Sequence, residues 1–256
     1  MKEITSVHNP QVQRLRELQK AKGRREAGLF LAESVKMVRE AIALGLCRTL
    51  IVDKSRREVL AELIGAAQAA GCEVLLVTAA VMQAISEQKT PQGVCCTVRI
   101  PEEPERLSGS LIVAMDGVQD PGNVGTLWRT ADAFGADGMI LLPGCADPWS
   151  PKTLRATMGA CFRLPVWEGA LGDLVPKLAQ AGLPLYATAL REDTVDLREM
   201  DLRRCAVAIG SEGRGVSQAV LEASAKTVKI PMAEQCESLN AAIAGAVVLW
   251  QMGFGR

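Results

Sequence analysis

Aromatic residues are scarce in this sequence: Phe, Tyr and Trp together make up 4% of its 256 residues. Proteins that read unstacked bases do so by stacking them on such rings, so a base-reading platform is disfavoured. Histidine is rarer still, with His8 the only one. None of the 8 cysteines falls in a C-x-x-C pair. The usual zinc ligand sets are therefore missing, and no metal is expected. A Ser–His or Cys–His nucleophile lacks its base for the same reason. Neither a Walker signature nor G-x-G-x-x-G occurs, so ATP hydrolysis and NAD binding lack their usual devices. The longest apolar stretch, 239–252, falls short of the roughly 20 residues that span a bilayer. The first residues, MKEITSVHNPQVQRL, lack the apolar core of a signal peptide. The expectation is a protein of a reducing, cytoplasmic compartment, without membrane attachment.

Net charge is also missing, with 29 basic against 29 acidic residues, but the balance hides an asymmetry. Residues 1–100 carry 15 Lys/Arg against 10 Asp/Glu, and the remainder carries 14 against 19. A basic first part points either to a polyanionic partner or to a solvated helix face. Residues 100–110 (IPEEPERLSGS) lack periodicity and are rich in Pro and acids, a linker signature. The division expected is 1–100, a linker over 101–110, and 111–256.

Both parts read as α/β. The first alternates a basic amphipathic helix over 10–22, the strand LFLAE, a helix over 34–44 capped by Ser34, TLIVD, a helix over 57–70, EVLLV, a short helix over 81–86 and VCCTVRI. These predict a mixed sheet. The second offers strands LIVAM, GMILL, PLYATA, CAVAI and TVKIP. Its helices fall over 124–134, 151–160, 171–180, 217–222 and 239–252. The strands are continuous apolar runs, which implies burial on both faces and a mostly parallel sheet. Ligands of such sheets bind at the carboxyl ends of strands.

Three clusters fall at those ends. The first runs from Asp116 to Arg129 and includes DPGNVGTLWRTA. The second is GSEGRG, 210–215, whose glycines let backbone approach a ligand closely. The third is IPMAEQCESLNAA, 230–242. There Ser238 is placed to cap the last helix, with Asn240 in its first turn. An alternative has the helix starts at Asn123 and Ser238 facing one pocket, where they favour a negative group. Spacing alone yields a ligand-binding α/β domain and no more.

Taken together, NVGTLWRTA (123–131), GSEGRG (210–215) and IPM…SLNAA (230–242) resemble the three motifs of the SpoU, or TrmH, family of RNA methyltransferases, in order and spacing. Residues 4–34 and TPQGV (90–94) are similar to the substrate-binding domain that precedes many of these enzymes. The resemblance implies a small L7Ae-like RNA-binding domain followed by a parallel α/β domain with a deep trefoil knot. It implies transfer of a methyl group from S-adenosylmethionine to a ribose 2′-hydroxyl of structured RNA, with 23S ribosomal RNA favoured over transfer RNA, by a homodimer. It carries catalytic roles to Arg129, Asn123, Glu212, Ser238 and Asn240. It places the cofactor against Thr188, Ala189, Gly210, Ile230, Met232 and Leu239. Arg129, whose guanidinium does not readily lose its proton, is expected to position the RNA rather than act as base. Lys20, Lys22, Arg24 and Arg25 are the candidate RNA-phosphate contacts. A non-catalytic RNA-binding protein of the same fold is the competing reading. Two departures stand out. Ala241 follows Asn240 where many relatives carry valine, and LAES places Ser34 where relatives usually have glycine.

Overall fold

Five buried or half-buried strands organise the first part of the chain. In this computed structural model, residues 1–191, 193–233, 235 and 238–253 are described. Two compact units are distinguished: Met1–Pro101 with Trp149–Gly159, and Glu102–Pro148 with the remainder from Ala160.

The first unit opens with β1 (Lys2–Ile4), a strand too short for sequence periodicity to register. The expected single helix over 10–22 is two: α1 (Pro10–Glu17) and α2 (Ala21–Ala27). Asn9 caps α1 by accepting the Gln11 N–H, and Pro10 takes the first helical position, where its missing donor costs nothing. β2 (Leu29–Glu33), α3 (Val35–Ala43), β3 (Cys47–Asp53), α4 (Ala61–Ala69), β4 (Glu73–Val77), α5 (Ala79–Ile85) and β5 (Val94–Arg99) follow. The sheet order is β1-β4-β3-β5-β2. β5 runs antiparallel to both β2 and β3, and the other pairs are parallel, so the sheet is mixed as expected. Val12 and Leu15 of α1 pack with Ile51, Leu75 and Val77 from one face of the sheet.

The second unit contains β6 (Leu111–Asp116), α6 (Pro121–Ala133) and β7 (Gly138–Leu141). α7 (Pro151–Thr157) comes next in the chain but lies in the segment that clusters with the first unit, where Trp149 stacks on Phe30 at a centroid distance of 5.3 Å. The stretch 111–256 is thus not one contiguous unit. β8 (Val166–Glu168), α8 (Leu171–Gln180), β9 (Leu185–Thr188), β10 (Val195–Asp196), β11 (Cys205–Gly210), α9 (Gln218–Ala223), β12 (Lys226–Lys229) and α10 (Ala241–Gly253) complete the unit. The strand order is β10-β12-β9-β11-β6-β7-β8, and every pair is parallel. β8 and β10 were not visible in the sequence, being only three and two residues long.

The order places the late strand β11 between β6 and β9. Chain direction across the sheet therefore reverses beside β6 and β11, the place where parallel sheets open a ligand crevice. The residues expected to form a linker are tied to this unit. The Trp167 indole N–H donates to the Pro104 carbonyl at 2.8 Å, the Glu168 N–H donates to the Glu103 carboxylate, and Leu107 is buried. Among the described residues no helix is long and apolar enough to cross a membrane.

Candidate active site at the ends of β9, β11 and β12

β6 is buried along its whole length and delivers Asp116 to the rim of the crevice. Its Oδ2 accepts the Ser217 N–H at 2.6 Å, which ties the start of α9, and with it the 211–217 turn, to the end of β6. Asp120 then caps α6, its Oδ1 accepting the Asn123 N–H at 3.0 Å, with Pro121 at the first helical position. A cap of this type contributes about 1 kcal/mol. It also holds Asn123 in the first turn of the helix, facing the second motif.

The second motif leaves β11 as a tight turn. Ser211 and Gly215 exchange both backbone hydrogen bonds, at 3.2 and 2.8 Å. Gly210 sits against the backbone of Gly215 and Val216, so closely that a Cβ has no room. This turn aims Glu212 at Asn123 and at the start of α10. Glu212 Oε1 accepts from Asn123 Nδ2, from Asn240 Nδ2 at 3.3 Å and from the Ala241 N–H at 3.2 Å. Asn240 Nδ2 also donates to Asn123 Oδ1 at 3.1 Å. Three residues separated by up to 117 positions thus form one polar cluster. Two helices meet there because Gly245 of α10 lets Leu127 of α6 lie directly on the helix surface.

The cap of α10 differs from expectation. Asn240, not Ser238, closes the helix start, its Oδ1 accepting the N–H groups of Ala242 and Ile243 at 3.0 and 3.3 Å. Asn240 therefore lies before the helix rather than in its first turn. Asparagine competes as well as serine for this position, and the residue nearer the helix wins. The alternative of two open helix starts facing an anion also fails. Asp120 occupies the Asn123 N–H, and Glu212 and Asn240 occupy those of Ala241, Ala242 and Ile243.

Beside this cluster lies a cavity of ≈ 290 Å³, at the small end of ligand pockets. Thr188, Ala189, Gly210, Ile230, Met232 and Leu239 all line it, together with Glu212, Ser238 and Ala241. The walls are mostly apolar side chains and strand-end backbone. β9 is fastened at its end by the Thr188 hydroxyl donating to the Ala208 carbonyl and by the Ala189 N–H donating to the Val228 carbonyl, both at 3.0 Å. Ile209, Ser211, Val228 and Lys229 also line the cavity and were not singled out by sequence. Their signal is only adjacency to the motifs. Glu234, Cys236 and Glu237 of the third motif lie outside the described residues. Across the 211–217 turn, a second cavity of ≈ 310 Å³ is lined by Asp116, Pro143, Arg214 and Ser217. Asp116 and Arg214 carried no spacing signal of their own.

Arg129 is on the exposed side of α6, six residues beyond Asn123, and its side chain has no hydrogen bond or ion pair among the described residues. It does not line the 290 Å³ cavity. Of the basic residues expected to meet RNA, Arg24 is not available. It is 3% exposed, and Nη1 donates to the carbonyls of Leu18 and Gln19, both at 2.8 Å. Arg24 is a structural clasp for the turn between α1 and α2. Lys20 and Lys22 are exposed but pair with Glu17 and Glu26, and Arg25 is exposed.

Cys145 and Cys205 are not poised as nucleophiles. Burial pushes the Cys145 thiol up to about 11 and the Cys205 thiol up to about 12, so both stay protonated at neutral pH. No group of three or more His, Cys, Asp or Glu able to hold a metal occurs among the described residues.

Residues 110–250 match the SpoU rRNA methylase family, and residues 9–96 match the MRM3-like substrate-binding domain. The chain belongs to the SpoU family. It is 32% identical over 98% of its length to the 23S rRNA guanosine 2′-O-methyltransferase RlmP of Bacillus subtilis, covering 99% of that protein. Among solved structures, an AdoMet-bound rRNA methyltransferase from Sinorhizobium meliloti superposes with a TM-score of 0.86 at 35% identity, over 98% of this chain and 97% of that one. AviRb, a SpoU methyltransferase from Streptomyces viridochromogenes in complex with AdoMet, superposes with a TM-score of 0.86 at 28% identity, over 96% and 97%.

Proposed function

We propose that this SpoU-family chain transfers the methyl group of S-adenosylmethionine to a ribose 2′-hydroxyl of 23S ribosomal RNA. The observation that carries the reading is the joining of Asn123, Glu212 and Asn240, one residue from each motif, at the mouth of the 290 Å³ cavity. The curated relative RlmP, which this chain matches end to end, bears that activity in its name.

The cavity fits the cofactor. Ile230, Met232 and Leu239 offer apolar walls to a purine, and strand-end backbone offers donors and acceptors to its edge. When bound, S-adenosylmethionine supplies an electrophilic methyl. The chain's own residues then have to present the 2′-oxygen in line. Asn123 and Asn240 hold the Glu212 carboxylate at the cavity mouth, and with it fix the 211–215 turn that lines the pocket. Arg129, exposed and uncommitted, supplies a fixed cation for a phosphate or ribose oxygen of the substrate. The 2′-hydroxyl proton leaves to water or to a neighbouring RNA phosphate as the methyl transfers, so positioning and electrostatic help suffice without a protein base.

The α/β domain is read as the family's deep trefoil knot and the first unit as its L7Ae-like RNA-binding domain. The protein is read as a cytoplasmic homodimer. Support for self-association comes from α10, where Ile243, Val247 and Trp250, spaced on one helical stripe, are 54%, 37% and 59% exposed. Such a stripe is the kind of surface a second copy covers.

The test is transfer of labelled methyl from S-adenosylmethionine to deproteinised RNA that lacks this modification, followed by digestion to nucleosides. Label in a 2′-O-methylnucleoside from 23S RNA is the expected result. Label in transfer RNA replaces the substrate, and label on a base replaces the chemistry. Cofactor binding with no transfer to ribosomal particles or to free RNA favours a non-catalytic RNA-binding protein.

A further inference from the structure

We propose that the ≈ 310 Å³ cavity across the 211–217 turn receives the base of the target nucleotide, and that Asp116 and Arg214 read it as guanine. The inference rests on the RNA-methyltransferase reading and deepens it by naming the nucleotide.

The first observation is placement. Asp116 ends β6, Pro143 follows β7 and Ser211 follows β11. The cavity therefore opens at the carboxyl edge of the parallel sheet, the edge that also carries the 290 Å³ cavity. Ser211 and Gly215 line both cavities, and the turn they close is the wall between them. β9 and β6 flank β11, so the two cavities stand about two strand spacings apart, on the order of 10 Å. A cofactor in one and a base in the other leave the ribose at the wall between them.

The second observation is an acid with an uncommitted oxygen. Asp116 is 9% exposed, and its Oδ2 accepts the Ser217 N–H at 2.6 Å. Its Oδ1 has no hydrogen bond among the described residues, yet it is not sealed from solvent as Arg24 Nε and Arg155 Nη1 are. It therefore opens to the cavity that Asp116 lines. A buried carboxylate oxygen without a donor is costly, and a ligand that donates to it relieves the cost. The same charge disfavours a phosphate there.

The third observation is Arg214 on the wall formed by the turn. Its side chain is exposed and has no hydrogen bond or ion pair among the described residues, with Asp116 or any other acid. The cavity thus offers an acceptor from one wall and a guanidinium fork from another. Guanine suits that pair. Its N1–H and N2 amino group donate on one edge, and its O6 and N7 accept a bidentate arginine on another. Adenine lacks the paired acceptors. Cytosine and uracil carry their donor and acceptors on a single edge, which cannot meet two walls.

No aromatic ring lines the cavity. Gly117 at φ +67° and Gly215 at φ +65° present bare backbone, with no described atom within 4 Å of where a Cβ would stand. The base faces rest on backbone and on Pro143, and recognition falls to the base edges. That agrees with a chain poor in stacking aromatics, and it requires a nucleotide displaced from its helix. The amino-acid end of S-adenosylmethionine also bears an ammonium and a carboxylate, but the 211–215 turn separates this cavity from the one that fits the cofactor.

The test uses the full-length protein, labelled S-adenosylmethionine and 23S RNA transcripts, which carry no modification. Single-turnover transfer is followed by digestion to nucleosides and mapping of the labelled position. Label in 2′-O-methylguanosine is expected. Arg214→Ala is expected to lose about 10–100-fold in kcat/KM, the discrimination of one bidentate pair. RNA with 7-deazaguanosine at the mapped position, which lacks the N7 acceptor, is expected to slow the wild type about ten-fold and Arg214→Ala no further. Arg214→Lys, a cation without the fork, is expected to fall between the two proteins. Asp116→Asn still accepts the Ser217 N–H but turns a donor to the base, and is expected to lose about ten-fold. S-adenosylmethionine affinity by calorimetry and thermal melting are expected to be unchanged in the Arg214 variants. Label in 2′-O-methyladenosine, cytidine or uridine leaves the functional reading and overturns the assignment. Normal rates in the variants overturn it too, as do additive losses from Arg214→Ala and 7-deazaguanosine. Weaker S-adenosylmethionine binding by the Arg214 variants gives the cavity to the cofactor and also overturns it. No ribose label from the wild type removes the functional reading itself.

Discussion

Replacing Gly210 by alanine adds one methyl group at the end of β11, and the structure predicts a large response. The new Cβ overlaps the carbonyl and nitrogen atoms of Gly215 and Val216. These are backbone atoms, so no rotamer change relieves the clash. The turn 211–217 has to move away from β11, yet it is fixed at three points. Ser211 and Gly215 are paired, Asp116 holds the Ser217 N–H, and Glu212 is held by Asn123, Asn240 and the Ala241 N–H. Overpacking of a well-fitted site costs about 1–3 kcal/mol. At about 2 kcal/mol, melting of a unit this size falls by roughly 4–8 °C. The displaced turn also lines the 290 Å³ cavity proposed for the cofactor, so S-adenosylmethionine affinity is expected to fall at least ten-fold by calorimetry. Gly213→Ala is the internal control. It lies in the same turn, with no atom within 4 Å of its added Cβ and no positive φ. It is expected to melt within 1–2 °C of wild type and to bind cofactor normally. A Gly210→Ala protein with wild-type melting and cofactor affinity refutes the reasoning, and equal damage by both substitutions refutes its dependence on close approach.

Arg129→Ala is expected to lower kcat by about 10²–10³, the cost of one electrostatic group that acts at the transition state, with S-adenosylmethionine binding within two-fold. Single-turnover transfer to 23S RNA measures this, and an Arg129→Ala enzyme of normal rate rejects the role. Glu212→Ala removes the acceptor shared by Asn123, Asn240 and the Ala241 N–H, and is expected to weaken cofactor binding as well as turnover. If only turnover falls, Glu212 does not organise the cavity mouth. Ser34→Gly exchanges about 1–3 kcal/mol of backbone strain for a few tenths of lost capping and some chain entropy. It is expected to stabilise the protein by about 1 kcal/mol in urea unfolding, and a destabilised variant shows the strain to be absent. Ile243→Asp with Val247→Asp is expected to yield monomers in sedimentation, and an unaltered assembly state moves any interface away from α10.

Much of this architecture was legible from periodicity. The continuous apolar runs LIVAM, CAVAI and GMILL became buried parallel strands because the sheet is covered on both sides. Glycine and capping signals located most helix ends to within a few residues. What failed was governed by contacts distant in sequence. β8 and β10 exist only because neighbouring strands pair with them. The helix expected over 10–22 breaks where Arg24 turns back to the carbonyls of Leu18 and Gln19. The basic pattern of that helix does not distinguish a free cation from a buried or paired one: Arg24 is buried and Lys20 and Lys22 are paired, whereas Arg25 is exposed. At the site, the three motifs were visible as strings, whereas their union through Asn123, Glu212 and Asn240 belongs to the tertiary structure. The departure at Ser34 was visible as an oddity, and only the positive φ explains why glycine is usual there.

The most direct test of the central claim is a map of ribose methylation across 23S RNA from cells with and without the gene, read by mass spectrometry of RNase fragments. The account predicts that a single 2′-O-methyl group disappears on deletion. It also predicts that the group returns with the wild-type gene and not with one encoding Arg129→Ala. Unchanged 23S ribose methylation in the deleted cells contradicts it.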